Sequence, residues 1–220
     1  QALIDRITQC EQCERLRNYC SQVAQTKRRA YLSQSYWGKP VAGFGDWAAE
    51  LVIVGLAPAA HGANRTGRVF TGDRSGEWLY RALAQFGFSN QPESLGRDDG
   101  LELKNAFVTC VVKCAPPGNR PLPQEQKNCS VFLKQELEAL SSARVFLALG
   151  QYSYDTLWPH LTPVEFEKKP KFTHGLKLPL AQNRWLLTSF HPSQQNTFTG
   201  KLTQPLFDSV FQTASQLLSS

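Results

Sequence analysis

The chain has 220 residues, 41% hydrophobic and 19% charged, enough to bury one substantial core, and one domain spanning 1–220 is expected. No apolar run approaches the roughly 20 residues of a membrane span and no signal peptide is visible, so a membrane partner is not expected and a cytoplasmic location is. The 24 Lys and Arg against 18 Asp and Glu leave a net charge of +6, which favours a polyanionic partner.

In chain order, residues 1–30 read as helical, with Leu3, Ile4 and Ile7 on one face and a basic tail of Lys27, Arg28 and Arg29. Cys10 and Cys13 stand three apart on that helix or at its end. Residues 31–50 are irregular and carry Tyr31, Tyr36 and Trp37. Leu51-Val52-Ile53-Val54 reads as a buried parallel strand. A long polar loop follows it, from Gly55 through Leu56, Ala57, Pro58, Ala59, His61, Arg65, Arg68, Phe70 and Gly72 to Asp73. Such a loop at the carboxyl end of a strand is where open α/β sheets bind ligands. Gly62 to Gly67 has the spacing of a phosphate-cradling loop. Arg68 stands where that motif needs Lys and Val69 where it needs a hydroxyl, so a triphosphatase is set aside.

Trp78, Leu79, Leu83 and Phe86 recur at helical spacing over 75–87 and read as core. A second strand is expected at 106–112, leading into the stiff run Lys113-Cys114-Ala115-Pro116-Pro117-Gly118-Asn119-Arg120. A helix at 124–140 carries Cys129, a third strand covers 145–150, and a short helix follows near 151–157. Residues 159–183 are loop-rich and basic. A fourth strand, 185–190, ends at His191-Pro192-Ser193, and a polar segment at 194–203 precedes a last amphipathic helix. Strands alternating with helices predict a parallel sheet covered on both faces.

Two constellations carry chemistry. Cys10, Cys13, Cys114 and Cys129 come from polar or Pro-rich surroundings and suit a 4Fe–4S cluster or a zinc ion, which spacing does not separate. Cys110, inside a strand, reads as a small buried apolar residue, and Cys20 is a further candidate ligand. In a parallel sheet the strand-end loops share one rim, which gathers Asp73, Asn119 and His191, with Phe70 beside them. A carboxylate can orient or deprotonate water, and an imidazole can support charge on a departing group. Singly, Asp73 would be a helix cap and His191 a structural hydrogen-bonder.

The loop ending Phe70-Thr71-Gly72-Asp73, the Lys113 to Arg120 run, and His191-Pro192-Ser193 with Asn196 beyond resemble, in order and over the whole chain, the iron–sulfur family 5 (type B) uracil-DNA glycosylases. The resemblance implies an α/β three-layer αβα sandwich with a central four-stranded parallel sheet and an N-terminal cluster-binding segment. It implies a 4Fe–4S cluster on Cys10, Cys13, Cys114 and Cys129, and a monomer acting on DNA that contains uracil or other deaminated bases. Catalysis falls to Asp73, His191 and Asn119. The everted base is held by Gly55, Leu56, Ala57, Pro58, Ala59, Phe70, Gly72 and Cys110. Arg65, Arg68, Lys113, Arg120, Ser193 and Lys201 are expected to contact DNA without reading sequence. Leu56 and Ala57, standing where other branches carry a polar catalytic group, leave a non-catalytic damage-binding protein as the alternative.

Overall fold

A computed structural model of the chain describes residues 1–161 and 168–219. Of the segment expected as basic loop at 159–183, residues 162–167 therefore lie outside the described residues.

The strands are β1 (Phe44–Gly45), β2 (Leu51–Gly55), β3 (Ala106–Cys110), β4 (Val145–Leu149), β5 (Lys177–Leu180) and β6 (Arg184–Ser189). They form one sheet in the order β1-β3-β2-β4-β6-β5. The inner pairs are parallel, while β1 and β5 run antiparallel along the two edges. The sheet is thus six-stranded and mixed, where four strands were expected. Both additional strands lacked a strong sequence signal. β1 is two residues long, and Lys177-Leu178-Pro179-Leu180 alternates exposed with buried positions and carries a proline tolerated only at an edge.

The helices are α1 (Ala2–Thr8), α2 (Glu14–Thr26), α3 (Ala63–Thr66), α4 (Arg74–Gln85), α5 (Pro123–Ala139), α6 (Gln151–Leu157), α7 (Gln194–Phe198) and α8 (Gln204–Ser219). They cover both faces of the sheet. Leu51 and Ile53 of β2 point into an apolar layer with Leu79 and Leu83 of α4 and Phe207 and Phe211 of α8. Val52 and Val54 point the other way, onto Leu16 of α2, Leu133 of α5 and Leu157 of α6. Burial on both faces explains why the inner strands read as unbroken apolar runs rather than as alternation.

The N-terminal stretch is not one helix. It breaks between Thr8 and Glu14, so Cys10 and Cys13 lie in the break, with Cys13 as the residue capping α2. Arg15, at the start of α2, makes a two-pronged ion pair with Glu125 of α5 at 2.8 and 2.7 Å. That clamp seats the break beside α5.

A second ion pair lies wholly inside the protein. Lys113 Nζ donates to Glu136 at 2.5 Å, to Thr109 Oγ1 at 2.7 Å and to the Cys110 carbonyl at 2.8 Å. Glu136 also accepts from Thr109 and from the Gly43 backbone. Every polar atom of the pair that could be stranded has a partner, which is the condition for burying charge without large loss. Lys113→Met leaves the Glu136 carboxylate unpaired and is expected to cost about 3–5 kcal/mol in denaturant unfolding. The double variant Lys113→Met/Glu136→Gln, which removes the orphaned charge, is expected to recover part of that loss.

Candidate active site

Parallel pairing brings Gly55 opposite Cys110 and Leu149 opposite Ser189, so the loops leaving β2, β3, β4 and β6 emerge along one edge. The loop after β2 is not irregular throughout. One helical turn, α3, lies inside it, and its return leg ends at Phe70 and Asp73.

Phe70 has φ of +51°, a conformation that bulky residues avoid and that costs on the order of 1–3 kcal/mol. Neighbouring contacts hold it there. The buried Tyr80 hydroxyl donates to the Val69 carbonyl at 2.8 Å. The Phe70 carbonyl lies against Gly76, at a place a methyl group would occupy. The edge of the Phe70 ring closes on Gly55 so tightly that a methyl there would overlap Cζ. The His191 ring lies 5.9 Å from the Phe70 ring, centroid to centroid, at 29°. A third flat ring between two others needs roughly 7 Å, twice a carbon–carbon contact of about 3.5 Å. A flat ligand stacked on Phe70 would therefore meet His191 beside it rather than across it.

Asp73 caps α4, its Oδ1 accepting from the Gly76 N–H at 3.0 Å. Its other carboxylate oxygen abuts Gly62, where a methyl group would overlap it. Burial raises the Asp73 pKa above the ordinary aspartate value, and the nearby Glu77 adds to the rise. The N–H groups of Gly76 and Ser75 and the charge of Arg65 oppose it without cancelling it. Asp73 is also near enough to Cys110 for its charge to help raise that thiol. Burial is the larger cause, and the thiol is pushed up to about 12. Burial drives His191 the opposite way, to about 4, so its imidazole is neutral at physiological pH. The Asn196 side-chain amide donates to the His191 carbonyl at 2.9 Å, and Ser193 caps α7 just beyond. The loop thus carries a carboxylate that resists ionisation, three residues after an aromatic ring that lies against an imidazole resisting protonation.

Beside His191 a cavity of about 450 Å³ opens between Leu56, Leu149, Gly150, Phe190 and Lys201. The backbone carbonyls of Gly55 and Leu56 are taken up by Val111 and Val112 N–H groups, at 2.9 and 3.0 Å. Pro58 is buried and Ala57 and Ala59 half-buried along the same loop, and the Gly72 N–H donates to the Ser94 carbonyl. The walls Leu149 and Phe190 and the clearance at Gly62 were not among the expected site residues. Only the glycine content of the loop hinted at the last of these.

Several expected contacts are corrected. Asn119 sits exposed in a turn at Pro117–Asn119 and, like Phe70 and Asp73, is not among the residues lining the cavity beside His191. Arg65 is buried, donating to the His61 and Gly72 carbonyls and to Gln34. Arg68 is 4% exposed and grips Asp99 at 2.9 and 2.6 Å. Burial alone would raise Asp99. The Arg68 guanidinium and the N–H groups of Leu101, Leu95 and Gly96 outweigh it and hold the carboxyl well below the usual range. With Lys113 on Glu136, three of the cations expected on DNA are occupied inside the protein. Their guanidinium and ammonium groups fasten loops instead of facing solvent. Arg120 and Lys201 are exposed, and Lys201 lies 4.6 Å over the Phe190 ring.

Cys20, Cys114 and Cys129 belong to one buried apolar cluster, with Cys13 packed against it. Asn128 of α5 donates to Cys13 Sγ at 3.4 Å, next to Cys129. Burial raises Cys129 to about 11, with Lys113 opposing and the thiols of Cys13 and Cys10 adding to the rise. Cys114 is raised through its contact with Cys20, by burial and by Cys129. Thiols from three chain regions thus share one apolar neighbourhood, a donor set suited to a cluster or a soft metal.

A profile of the uracil DNA glycosylase superfamily matches residues 42–215. The chain is 46% identical over 213 residues to a type-5 uracil-DNA glycosylase of Mycobacterium leprae, covering 96% of this chain and 93% of the relative. It is 43% identical over 217 residues to a type-5 uracil-DNA glycosylase of Thermus thermophilus, covering 99% and 97%. A type-4 uracil-DNA glycosylase of Thermotoga maritima is 30% identical over 164 residues, covering 70% of this chain and 69% of the relative. Phe70, Asp73 and His191 all fall inside the matched span, and the chain belongs to the uracil DNA glycosylase superfamily.

Proposed function

We propose that this chain is a monofunctional DNA glycosylase of base excision repair, removing uracil and other deaminated bases from DNA by hydrolysis of the N-glycosidic bond. One observation supports it above the others: the Asp73 carboxylate, pressed against Gly62 and raised in pKa, shares a loop with an aromatic ring that stacks beside a neutral imidazole. A base inside a duplex is out of reach, so the nucleotide is everted into the slot and stacks on Phe70. As the bond between the sugar C1′ and the base nitrogen breaks, its electron pair leaves with the base, and water adds to C1′. Asp73 orients that water and takes its proton. The neutral His191 donates an N–H to the base carbonyl as negative charge builds there. We assign the wedge that fills the vacated stack to Phe198, 72% exposed at the end of α7.

Cys110 brings no amide to read the edge of uracil, so discrimination among deaminated bases is expected to be broad. Lys113 is fixed on Glu136, so its amine is not available to form a Schiff base and nick the strand. Asp73→Asn keeps the helix cap but loses the proton acceptor. Single-turnover uracil release from duplex DNA, read by alkaline cleavage, is expected to fall about 10²–10⁴-fold. The variant should unfold at the same or a higher temperature, because a raised carboxyl pKa marks a charge the fold holds at a cost near neutral pH. Retained full release rejects the assignment.

We infer further that Cys10, Cys13, Cys114 and Cys129 hold a 4Fe–4S cluster, supported by the packing of Cys13, Cys114 and Cys129 in one apolar cluster and by the Asn128 amide donating to Cys13. When bound, the cluster ties the N-terminal break, the Lys113 loop and α5 together and is capable of electron transfer. Purified protein is expected to contain about four iron and four sulfide per chain. Cys114→Ser should lower that content and the visible absorption and unfold the protein at lower temperature. Stoichiometric zinc with no iron or sulfide counts against the cluster.

A further inference from the structure

The basic tail of α2 has no part in the chemistry above, yet the fold straps it to the catalytic loop. Three contacts make the strap. Tyr36 meets His61 Nδ1 through its hydroxyl at 3.0 Å, with the rings edge to face. Gln34 accepts from Arg65 Nη1 at 2.6 Å, and the Arg65 guanidinium lies 4.0 Å over the Tyr31 ring. The Arg28 N–H joins the same knot, donating to the Tyr36 hydroxyl at 3.4 Å. His61 is the residue before Gly62, which touches the Asp73 carboxylate. Burial lowers the His61 pKa, and the charges of Arg28 and Arg65 lower it further, so the Arg28 guanidinium is felt at the loop itself.

The charge of this strap is uncompensated. Arg28 and Arg29 are exposed, and neither is in an ion pair among the described residues. Between Glu14 and Asp46 the chain has no carboxylate; Arg15 and Arg17 pair with Glu125 and Glu11, which leaves Lys27, Arg28, Arg29 and Lys39 without an acidic partner among the described residues. Arg65 and Arg68, the cations of the loop, are turned inward onto carbonyls and Asp99. Exposed guanidinium groups on an anchored segment meet phosphates without breaking an internal contact, and they release counterions when they do.

We propose that residues 27–29 form a phosphate-contact surface for duplex DNA flanking the everted nucleotide, with Arg28 and Arg29 supplying the contacts that Arg65 and Arg68 do not. The inference rests on the glycosylase reading of the adjoining slot. The contacts are to the backbone, so they strengthen binding to damaged and undamaged duplex alike.

The test uses the full chain carrying Arg28→Gln/Arg29→Gln and an undamaged fluorescent duplex, with binding measured by anisotropy over a series of salt concentrations. Two lost phosphate contacts should flatten the slope of log affinity against log salt by about 2 and weaken binding at low salt. Arg28→Lys/Arg29→Lys, which keeps the charges, should restore most of the slope. A slope equal to that of the unmodified chain overturns the proposal. So does a lysine pair that behaves like the glutamine pair, because the effect would then lie in packing. Uracil release by the unmodified chain is measured alongside. Its absence refutes the glycosylase reading, whereas normal release with an unchanged slope refutes the strap alone.

Discussion

A carboxylate held out of water is the constraint around which this site is arranged. The Asp73 carboxyl is pressed onto Gly62 and capped onto the first turn of α4, where N–H groups and the helix dipole favour the charged form. Burial wins against them, because the pKa remains raised. The one strong cation nearby, Arg65, gives its hydrogen bonds to backbone carbonyls and Gln34 rather than to Asp73. An ion pair there would have stabilised the protein while lowering the basicity on which the proposed proton transfer depends. The arrangement sacrifices stability at the point of chemistry, a common bargain in enzyme sites.

Rigidity is supplied around that point instead. Arg68 with Asp99 closes the outer side of the loop, Tyr80 fixes Val69 from below, and Gly76 fits the Phe70 carbonyl. Together they maintain the unfavourable φ of Phe70 and set its ring beside His191. On the other side, Lys113 joins the floor of the slot to the cysteine chamber: its side chain holds the Cys110 carbonyl, and the next residue is Cys114. The cysteine-bearing turn and the strand end beside Phe70 therefore share one short, stiff connection.

Much of this was legible in the sequence, for identifiable reasons. Strands β2, β3, β4 and β6 are buried on both faces and show as apolar runs, and the strand-end rule then places Phe70, Asp73 and His191 on one edge. Strands β1 and β5 escaped because one is two residues long and the other is an edge with lysine outward and proline inside. The break at Cys10 and Cys13 escaped because the flanking residues keep helical periodicity. The loop arginines were misassigned for a different reason. A guanidinium in a glycine-rich loop reads the same whether it faces a phosphate or a carbonyl, and only the path of the chain brings Asp99 to Arg68. Asn119 was drawn to the site by its neighbours in sequence, but the turn at Gly118 leaves it in solvent.

The single-turnover rate of uracil release from duplex DNA, followed as pH is lowered from about 8 to about 4, tests the role of Asp73 most directly. If ionised Asp73 acts on water, the rate falls with acid through an inflection above the ordinary aspartate value of 3.8, because burial raises the group. His191 stays neutral until about 4 and so does not produce that fall. A rate that stays level to pH 4, or climbs as acid is added, contradicts the proposed role of Asp73.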